Sequence, residues 1–497
     1  MAALYLEKTF TNLGKEAEIT VIESSKIPTI GVGEGTTAVF WNFLKFLEID
    51  EFEFVKETKA TYKFGIRHKN WQTKGVSYEG PIDLPHSIPE VGNLGGDHFW
   101  LYLECLATNK PISDIHLFTY LMNEERAPYT TMDDSIKPLS NYIHAFHFDQ
   151  AKVGSFFRKK RTWVKHLDGI VKEVELKSES GEIDNVVLDN GSRIYGDLFV
   201  DCSGFRRILI SQSLGAKWED KSTSLPVNRA LPFWLEFDED EEIAPFTLAE
   251  ALDCGWMWTI PTQERKGCGY VYSDQFIDPE DARLEVETYL GKSIKPRNDI
   301  KFTSGFLENS CIKNCLSLGL SQCFFEPLEA TSIHSTLLQL FMFVENNLFK
   351  ILEGNFESNA KYNKFVSDQN EDILNFINLH YSGGRQDTAF WKYVQNECLT
   401  PKVRDFLQKT SKRTPKYRDF SRHEDGTLPS IDGSLYFPIL DGLGKLNPSN
   451  ARRELSLRPK QRGVTRQILR KYTNRFQEVS KLATGHRAFL QQLSQIS

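Results

Sequence analysis

The chain has 497 residues, the length of two to four ordinary domains or of one large discontinuous domain. Hydrophobic residues make up 40% and charged residues 26%, a globular balance that excludes disordered, collagen-like and coiled-coil classes. A mean hydropathy of −0.40 and the lack of an apolar run of about 18 residues argue against a membrane span, and a net charge of −7 gives no global reason to expect nucleic acid.

Charge is uneven along the chain. From Ala451 to Ser497 there are 11 Lys and Arg against Glu454 and Glu478, which reads as a solvated helical face or as a site for an anionic partner. Asp238 to Glu242 reads as an acidic surface loop. The eight cysteines lack CxxC spacing, and the N-terminus lacks a signal-peptide pattern. Free thiols in a reducing cytoplasm are the expectation. Cys311 and Cys315 are spaced to share a helix face, but no His/Cys pair completes a zinc site. His144 and His147 in HAFHF are no better a metal site, so no metal is expected.

In chain order, Ala2 to Asn12 reads as a helix with Gly14 as its stop. EITVIES, residues 18 to 24, reads as a strand ending near Glu23, where dinucleotide folds place a ribose-binding acid. The other half of that motif, a GxGxxG turn before the first helix, is missing. Residues 31 to 37, GVGEGTT, form a glycine-rich loop. Helix-period apolar positions follow at Phe40, Phe43, Leu44 and Leu47. Asp149 is placed to cap a helix from Gln150 to Lys160. Segments 170–177, 183–188 and 193–195, divided by SESG and Asn190-Gly191, predict a β-meander that runs into the buried strand DLFVDCSG. CLSLGL, residues 315 to 320, reads as another buried strand. Leu337 to Val344 reads as buried helix. Helix signals dominate from about Arg385, with a Gly-, Pro- and Ser-rich loop expected between Ser421 and Ser449.

Three clusters carry candidate chemistry. In ATYKFGI, Lys63 sits among apolar residues, either as an edge charge reaching solvent or as a desolvated amine of lowered pKa. In FEPLEATS, Glu326 and Glu329 flank a proline, and a helix starts at Thr331. Its free amides would bind an anion, or the carboxylates simply cap it. In GWMWTIP, Trp256, Trp258 and Ile260 share one strand face, as core packing or as the wall of an aromatic pocket.

GVGEGTT, ATYKFGI…NW, HFD, DLFVDCSGF, GWMWTIP, GYVYSDQFI, CFFEPLEATSIH and RQDTAFW occur in one order over roughly residues 1 to 391. In that order they resemble the flavin-dependent halogenases, the tryptophan halogenase family and its relatives. The resemblance implies an α/β fold: an FAD/NAD(P)-binding Rossmann-like module of the flavin monooxygenase type, with an inserted substrate region and a C-terminal helical region. The expected division is 1–384 and 385–497. It also implies FADH2- and O2-dependent chlorination, bromination or iodination of an indole- or phenol-type small molecule, by way of hypohalous acid and a lysine.

Residue by residue, Lys63 matches the halogen-transferring lysine and Glu329 its partner glutamate. Thr331 and Ser332 match the halide site. Glu23, Gly33, Glu34, Gly204 and Gly319 match FAD-binding positions, with Glu34 on the strap that couples flavin and substrate sites. Trp256, Trp258, Ile260 and Pro261 match the wall that keeps substrate from the flavin. His98, Phe99, Trp100, Phe390 and Trp391 are candidate substrate contacts. A separate flavin reductase would supply FADH2, and the oligomeric state is left open.

Three positions depart from the family pattern. Ala330 replaces the usual serine, Ser332 stands where the tryptophan enzymes have glycine, and the first strand with its GxGxxG loop is absent. Met1 aligns with the helix that would follow that loop, so a recorded start downstream of the true one is expected, with weak FAD binding as the other explanation. Two other functions stay open: a flavin monooxygenase that hydroxylates an aromatic ring, and a non-catalytic remnant that binds a ligand or partner.

Overall fold

The computed structural model describes every residue except 28–30, 32, 86–87, 95–97, 132–134, 417–418, 421–429 and 496–497. The first helix is Ala2–Asn12, and Gly14 (φ +62°) supplies the left-handed turn that ends it. The strand Thr20–Glu23 then runs parallel to Lys165–Asp168. A second parallel pair joins Phe199–Asp201 to Cys315–Ser317, with Cys311–Ile312 antiparallel beyond it. Cys311 and Cys315 therefore lie on a β-hairpin and not on a helix face. Lys313, at φ +52°, makes the turn that a helix does not allow.

The meander forms as its turn residues demand: Val171–Leu176, Ile183–Leu188 and Arg193–Tyr195 pair antiparallel, with Gly191 at φ +81° in the second turn. Asp149 caps its helix by accepting from the Ala151 and Lys152 amides.

The largest sheet has seven strands in the order Ile300–Lys301, Arg229–Leu235, Lys266–Tyr272, Gly255–Pro261, Thr247–Ala251, Gly65–Lys69 and Ser77–Pro81. All neighbours are antiparallel except Thr247–Ala251 with Gly65–Lys69. Beside it, Glu34–Gly35 and Thr61–Lys63 both pair with Ala145–Phe148. The core behind that small sheet is rich in phenylalanine. Phe40 and Phe43 from the helix Ala38–Phe46 meet Phe54, Phe146, Phe148 and Phe157 at ring distances of 5.3 to 6.4 Å. Each buried ring contributes roughly 1.5–3 kcal/mol.

The C-terminal third is helical and packs on the rest. Part of the loop expected between Ser421 and Ser449 is the helix Gly433–Gly442, because Asp432 caps it and Phe437, Ile439 and Leu440 are buried; residues 421–429 of that expectation lie outside the described residues. The basic tail is three helices, Pro448–Ser456, Pro459–Leu482 and His486–Gln495. Part of its charge is used internally: Arg462 and Arg466 both reach the buried carboxylate of Glu104, and Lys471 reaches Glu90. The acidic run likewise has internal partners, with Glu241 on Lys266 and Glu242 accepting from the Arg487 amide. No helix among the described residues is long and apolar enough to cross a membrane.

Candidate active site

Lys63 ends its strand with a side chain only 1% exposed, on a short sheet walled by the phenylalanine core. Its Nζ donates to the Thr36 carbonyl at 3.1 Å. Burial lowers its pKa to about 8, partly offset by the charge of Glu329. It is the desolvated amine of the two readings, not an edge charge. Two contacts hold its strand in register: Thr61 Oγ1 donates to the Pro261 carbonyl at 2.7 Å, and the Tyr62 amide donates to His486 Nε2 at 3.2 Å.

The loop before Thr36 crosses directly over this amine. A methyl on Gly35 would lie 3.2 Å from Lys63 Nζ and 3.3 Å from Ala330 Cβ, so the absence of a side chain there lets the lysine and the Glu329–Ala330 turn share one space. A methyl on Gly33 would lie 3.4 Å from Ile260 Cγ2. The same loop thus touches the tryptophan strand. Thr37 Oγ1 bonds His334 Nδ1 at 2.9 Å and ties the loop to the helix Thr331–Asn346. Glu34, with no charged partner among the described residues, is raised by desolvation to about 7.

Glu329 and Ala330 both have left-handed backbones, φ +68° and +53°. That double turn brings the chain into the helix at Thr331 with no side chain capping its first amides, so the Thr331 and Ser332 end remains a place where the helix dipole favours an anion. The resemblance pairs Glu329 with Lys63. In the fold its Oε1 also meets His68 Nε2 at 3.0 Å and His380 Nε2 at 2.9 Å. These contacts hold the carboxyl well below its usual range in spite of its burial. The three donor atoms lie within 4.8 Å of one another. His144 and His147 do not join them: His144 bonds Glu51 at 2.9 Å and His147 bonds Thr247 at 2.8 Å.

Trp256, Trp258, Ile260 and Pro261 are all buried in the strand Gly255–Pro261. Trp258 packs against Gly269, where any Cβ would come within 2.1 Å of the indole. Trp256 donates from Nε1 to Glu326 Oε1 at 2.9 Å, and Tyr381 donates to the same oxygen at 2.6 Å. Burial raises the Glu326 carboxyl to about 7. Trp71 packs on Trp256, His380, Tyr381 and Trp391 at 5.6 to 6.1 Å. Trp391 and Phe390 therefore belong to the aromatic wall behind the two histidines. His98 and Phe99 do not: His98 bonds Ser434 at 2.8 Å and Phe99 packs on Phe437 at 4.7 Å, both in the C-terminal helical region. Trp100 packs, half-buried, against the main core.

At the far end, Gly204 (φ +67°) and Gly319 (φ +64°) follow the two parallel strands, and a Cβ on either would project into open space. Ser321 Oγ bonds both Asp201 and the Gly204 carbonyl at 3.2 Å, which couples the two turns. Asp201 also accepts from the Ser203, Leu209 and Ile210 amides. Bare backbone at the ends of parallel strands fits a dinucleotide. Glu23 ends its strand as expected and is held by Arg158 at 2.5 Å and His166 at 2.8 Å.

Sequence reasoning missed His68, His380, Tyr381 and Gly35 as site residues. His68 lies two positions after Ile66 in the strand Gly65–Lys69, and a histidine on that apolar face is the signal the sequence offers; His380 and Tyr381 close a helix without any motif.

Comparison with known proteins places this geometry. The tryptophan halogenase family profile matches residues 1–432. Tryptophan 6-halogenase SttH of Streptomyces toxytricini is 31% identical over 481 residues, covering 91% of this chain and 88% of its own. Tryptophan 7-halogenase RebH of Lentzea aerocolonigenes is 31% identical over 474 residues, covering 89% and 87%. Among solved structures, the flavin-dependent halogenase Xcc4156 of Xanthomonas campestris superposes with a TM-score of 0.84 at 28% identity, over 99% of this chain and 95% of that one. The fold is the α/β, FAD-binding Rossmann-like fold of these enzymes with a helical C-terminal region. On the match of family and fold together, the chain belongs to the tryptophan halogenase family and is a flavin-dependent halogenase, an enzyme that halogenates aromatic substrates.

Proposed function

We propose that this enzyme uses FADH2, O2 and a halide to place chlorine, bromine or iodine on a small indole- or phenol-type molecule, with Lys63 and Glu329 as the catalytic residues. The observation that carries the reading is the Lys63 amine, buried, lowered to about 8 and sharing its space with the Glu329–Ala330 turn through Gly35. An amine of that pKa has a sizeable neutral share near pH 8 and can receive a positive halogen, which a guanidinium cannot.

Reduced FAD, when bound, supplies the oxidation of halide to hypohalous acid with O2. Gly204 and Gly319 would let it approach the backbone, and Glu23, Gly33 and Glu34 would complete its contacts. Thr331 and Ser332 amides would hold the halide at the helix start. Lys63 either takes the halogen from hypohalous acid at Nζ, releasing water as the haloamine forms, or hydrogen-bonds the intact acid, and presents the halogen to the ring. Glu329 accepts the ring proton. Trp256, Trp258, Ile260 and Pro261 separate substrate from flavin, which favours halogenation over hydroxylation. Phe390 and Trp391, through Trp71, shape the substrate side, and His98, Phe99 and Trp100 would act only at its margin. The reductant would come from a separate flavin reductase. The division at 384/385, with one unit for flavin and substrate and one helical unit, and a cytoplasmic setting go with this reading.

Mass spectrometry tests it. Indoles and phenols are incubated with a flavin reductase, FAD, NADH and chloride, bromide or iodide in turn. A product shifted by the mass of the halide supplied is expected. An oxygen-shifted product that forms without halide would replace this reading with hydroxylation.

A further inference from the structure

Glu329 sits between two fully buried imidazoles, and both contacts fall on one of its oxygens, Oε1. Oε2 has no hydrogen-bond partner among the described residues, and the side chain keeps 14% exposure. Proton positions on the two rings follow from their other nitrogens. His380 Nδ1 lies 2.9 Å from the Phe376 carbonyl, which only accepts, so Nδ1 carries a proton. A neutral His380 would then turn a bare Nε2 lone pair toward a carboxylate oxygen 2.9 Å away, with no other partner among the described residues. His68 differs: its Nδ1 is buried without a partner among the described residues, so a proton there would be stranded, while Nε2 bonds Oε1. His68 also stacks on Tyr78 at 4.8 Å and 11°, which fixes its ring plane.

We propose that His380 is an imidazolium paired with Glu329 and His68 a neutral donor to the same oxygen, and that together they act as positioning residues that keep Glu329 ionised with Oε2 free for the ring proton. Three features support this beyond the distances. His380 Nε2 lies at ion-pair distance from Oε1 without hydrogen-bond geometry, which suits a charge pair better than a neutral contact. His380 is the last residue of the helix Asn359–His380, where the helix dipole favours a cation. The left-handed pair Glu329–Ala330 holds the carboxylate at this junction instead of along the helix.

This inference rests on the reading of Glu329 as the base. In the step, the C–H bond of the halogenated ring breaks, an O–H bond forms at Oε2, and the ring keeps the electron pair. The protons on His68 and His380 stay where they are.

Other charged or titratable groups face the cluster. They are Lys63 on its own strand, Tyr78 on Ser77–Pro81, and Glu326 beyond His380. Among the described residues, none of these three hydrogen-bonds Glu329.

The test reads protons directly. In the full chain labelled with [15N]histidine, two-bond proton–nitrogen correlations at neutral pH report which ring nitrogens are protonated, with His68→Gln and His380→Gln assigning the signals. Both nitrogens of His380 and only Nε2 of His68 should carry protons, and Glu329→Gln should remove the Nε2 proton of His380. A bare Nε2 on His380 overturns the proposal. So does a stoichiometric divalent metal whose removal shifts both rings, because two imidazoles and a carboxylate are also a metal-binding set.

Kinetics give a second arm. His380→Gln keeps a donor but not the charge, so proton removal by Glu329 should slow and kcat should gain a primary isotope effect with ring-deuterated arene, while the acid limb set by Lys63 stays in place. A lower kcat without an isotope effect overturns the positioning role. If the proton pattern holds but no arene is halogenated by the wild type, the proposed reaction fails and the ion pair stands.

Discussion

Trp256 and Glu326 are joined by a 2.9 Å hydrogen bond from the indole to a carboxyl that no cation approaches within ion-pair distance among the described residues. The first glutamate of EPLEATS is thus a buried, easily neutralised group that fixes the tryptophan wall, while the second is an ionised group at the reaction site. Two carboxyls three residues apart are driven in opposite directions by their surroundings.

Glu326→Ala should cost on the order of 2–4 kcal/mol, because it strands the Trp256 and Tyr381 donors in the core. Glu326→Gln keeps an acceptor and should cost far less. The folded carboxyl has its pKa raised from 4.5 to about 7, so its stabilising contribution is complete below pH 4.5 and is lost as pH rises through 7. Melting temperatures of wild type and Glu326→Gln, compared from pH 4.5 to 7.5, should converge at the acid end and separate in favour of the glutamine variant at the other.

Lys63→Met should abolish halogenation and raise the melting temperature. The folded lysine has its pKa lowered from 10.5 to about 8, so below pH 8 the protein carries a desolvated cation that the unfolded chain solvates freely. The gain in stability should shrink as pH climbs from 8 toward 10.5. Calorimetry across that range, with product analysis beside it, separates the two effects; equal melting temperatures at pH 7 would contradict the burial argument.

Gly35→Ala should damage turnover more than folding. Its methyl would press on the Lys63 amine and on Ala330, both at contacts of 3.2–3.3 Å that need a few tenths of an ångström of adjustment. The expected signature is hypohalous acid escaping to a trap such as monochlorodimedone while halogenated arene falls several-fold. Unaltered partition between trap and product would show that the loop does not align the lysine.

His486→Ala should cost about 2–4 kcal/mol, since it removes the acceptor for the Tyr62 amide and the donor to the Ile243 carbonyl at 2.7 Å, both buried. It lies 423 positions from Lys63, yet it touches the lysine strand. Denaturant unfolding measures the loss, and a change in the pH dependence of product formation would show that the lysine has moved.

Much of the local structure was legible in residues close together in sequence. The helix Ala2–Asn12, the Asp149 cap, the Asn190-Gly191 hairpin and the period-2 face of GWMWTIP each follow from rules that reach only a few positions, and each formed as read. The Cys311–Cys315 spacing misled because four residues suit a helix turn and a tight hairpin equally. The Ser421–Ser449 segment misled because its composition of turn formers hides an Asp432 cap and a buried apolar face.

The amino-acid sequence by itself determined the order of elements, the candidate pair Lys63 and Glu329, and the small residues beside them. Only the tertiary structure decided the state of that pair. Desolvation depends on what surrounds an amine from all sides, and here the surroundings come from Thr36, Ala330 and the sheet beneath. The histidines that clamp Glu329 are 261 and 51 positions from it, brought to one oxygen by a strand and a helix end that no local pattern relates. A pKa is set by three-dimensional distance and burial, and neither is written in the spacing of residues along a chain.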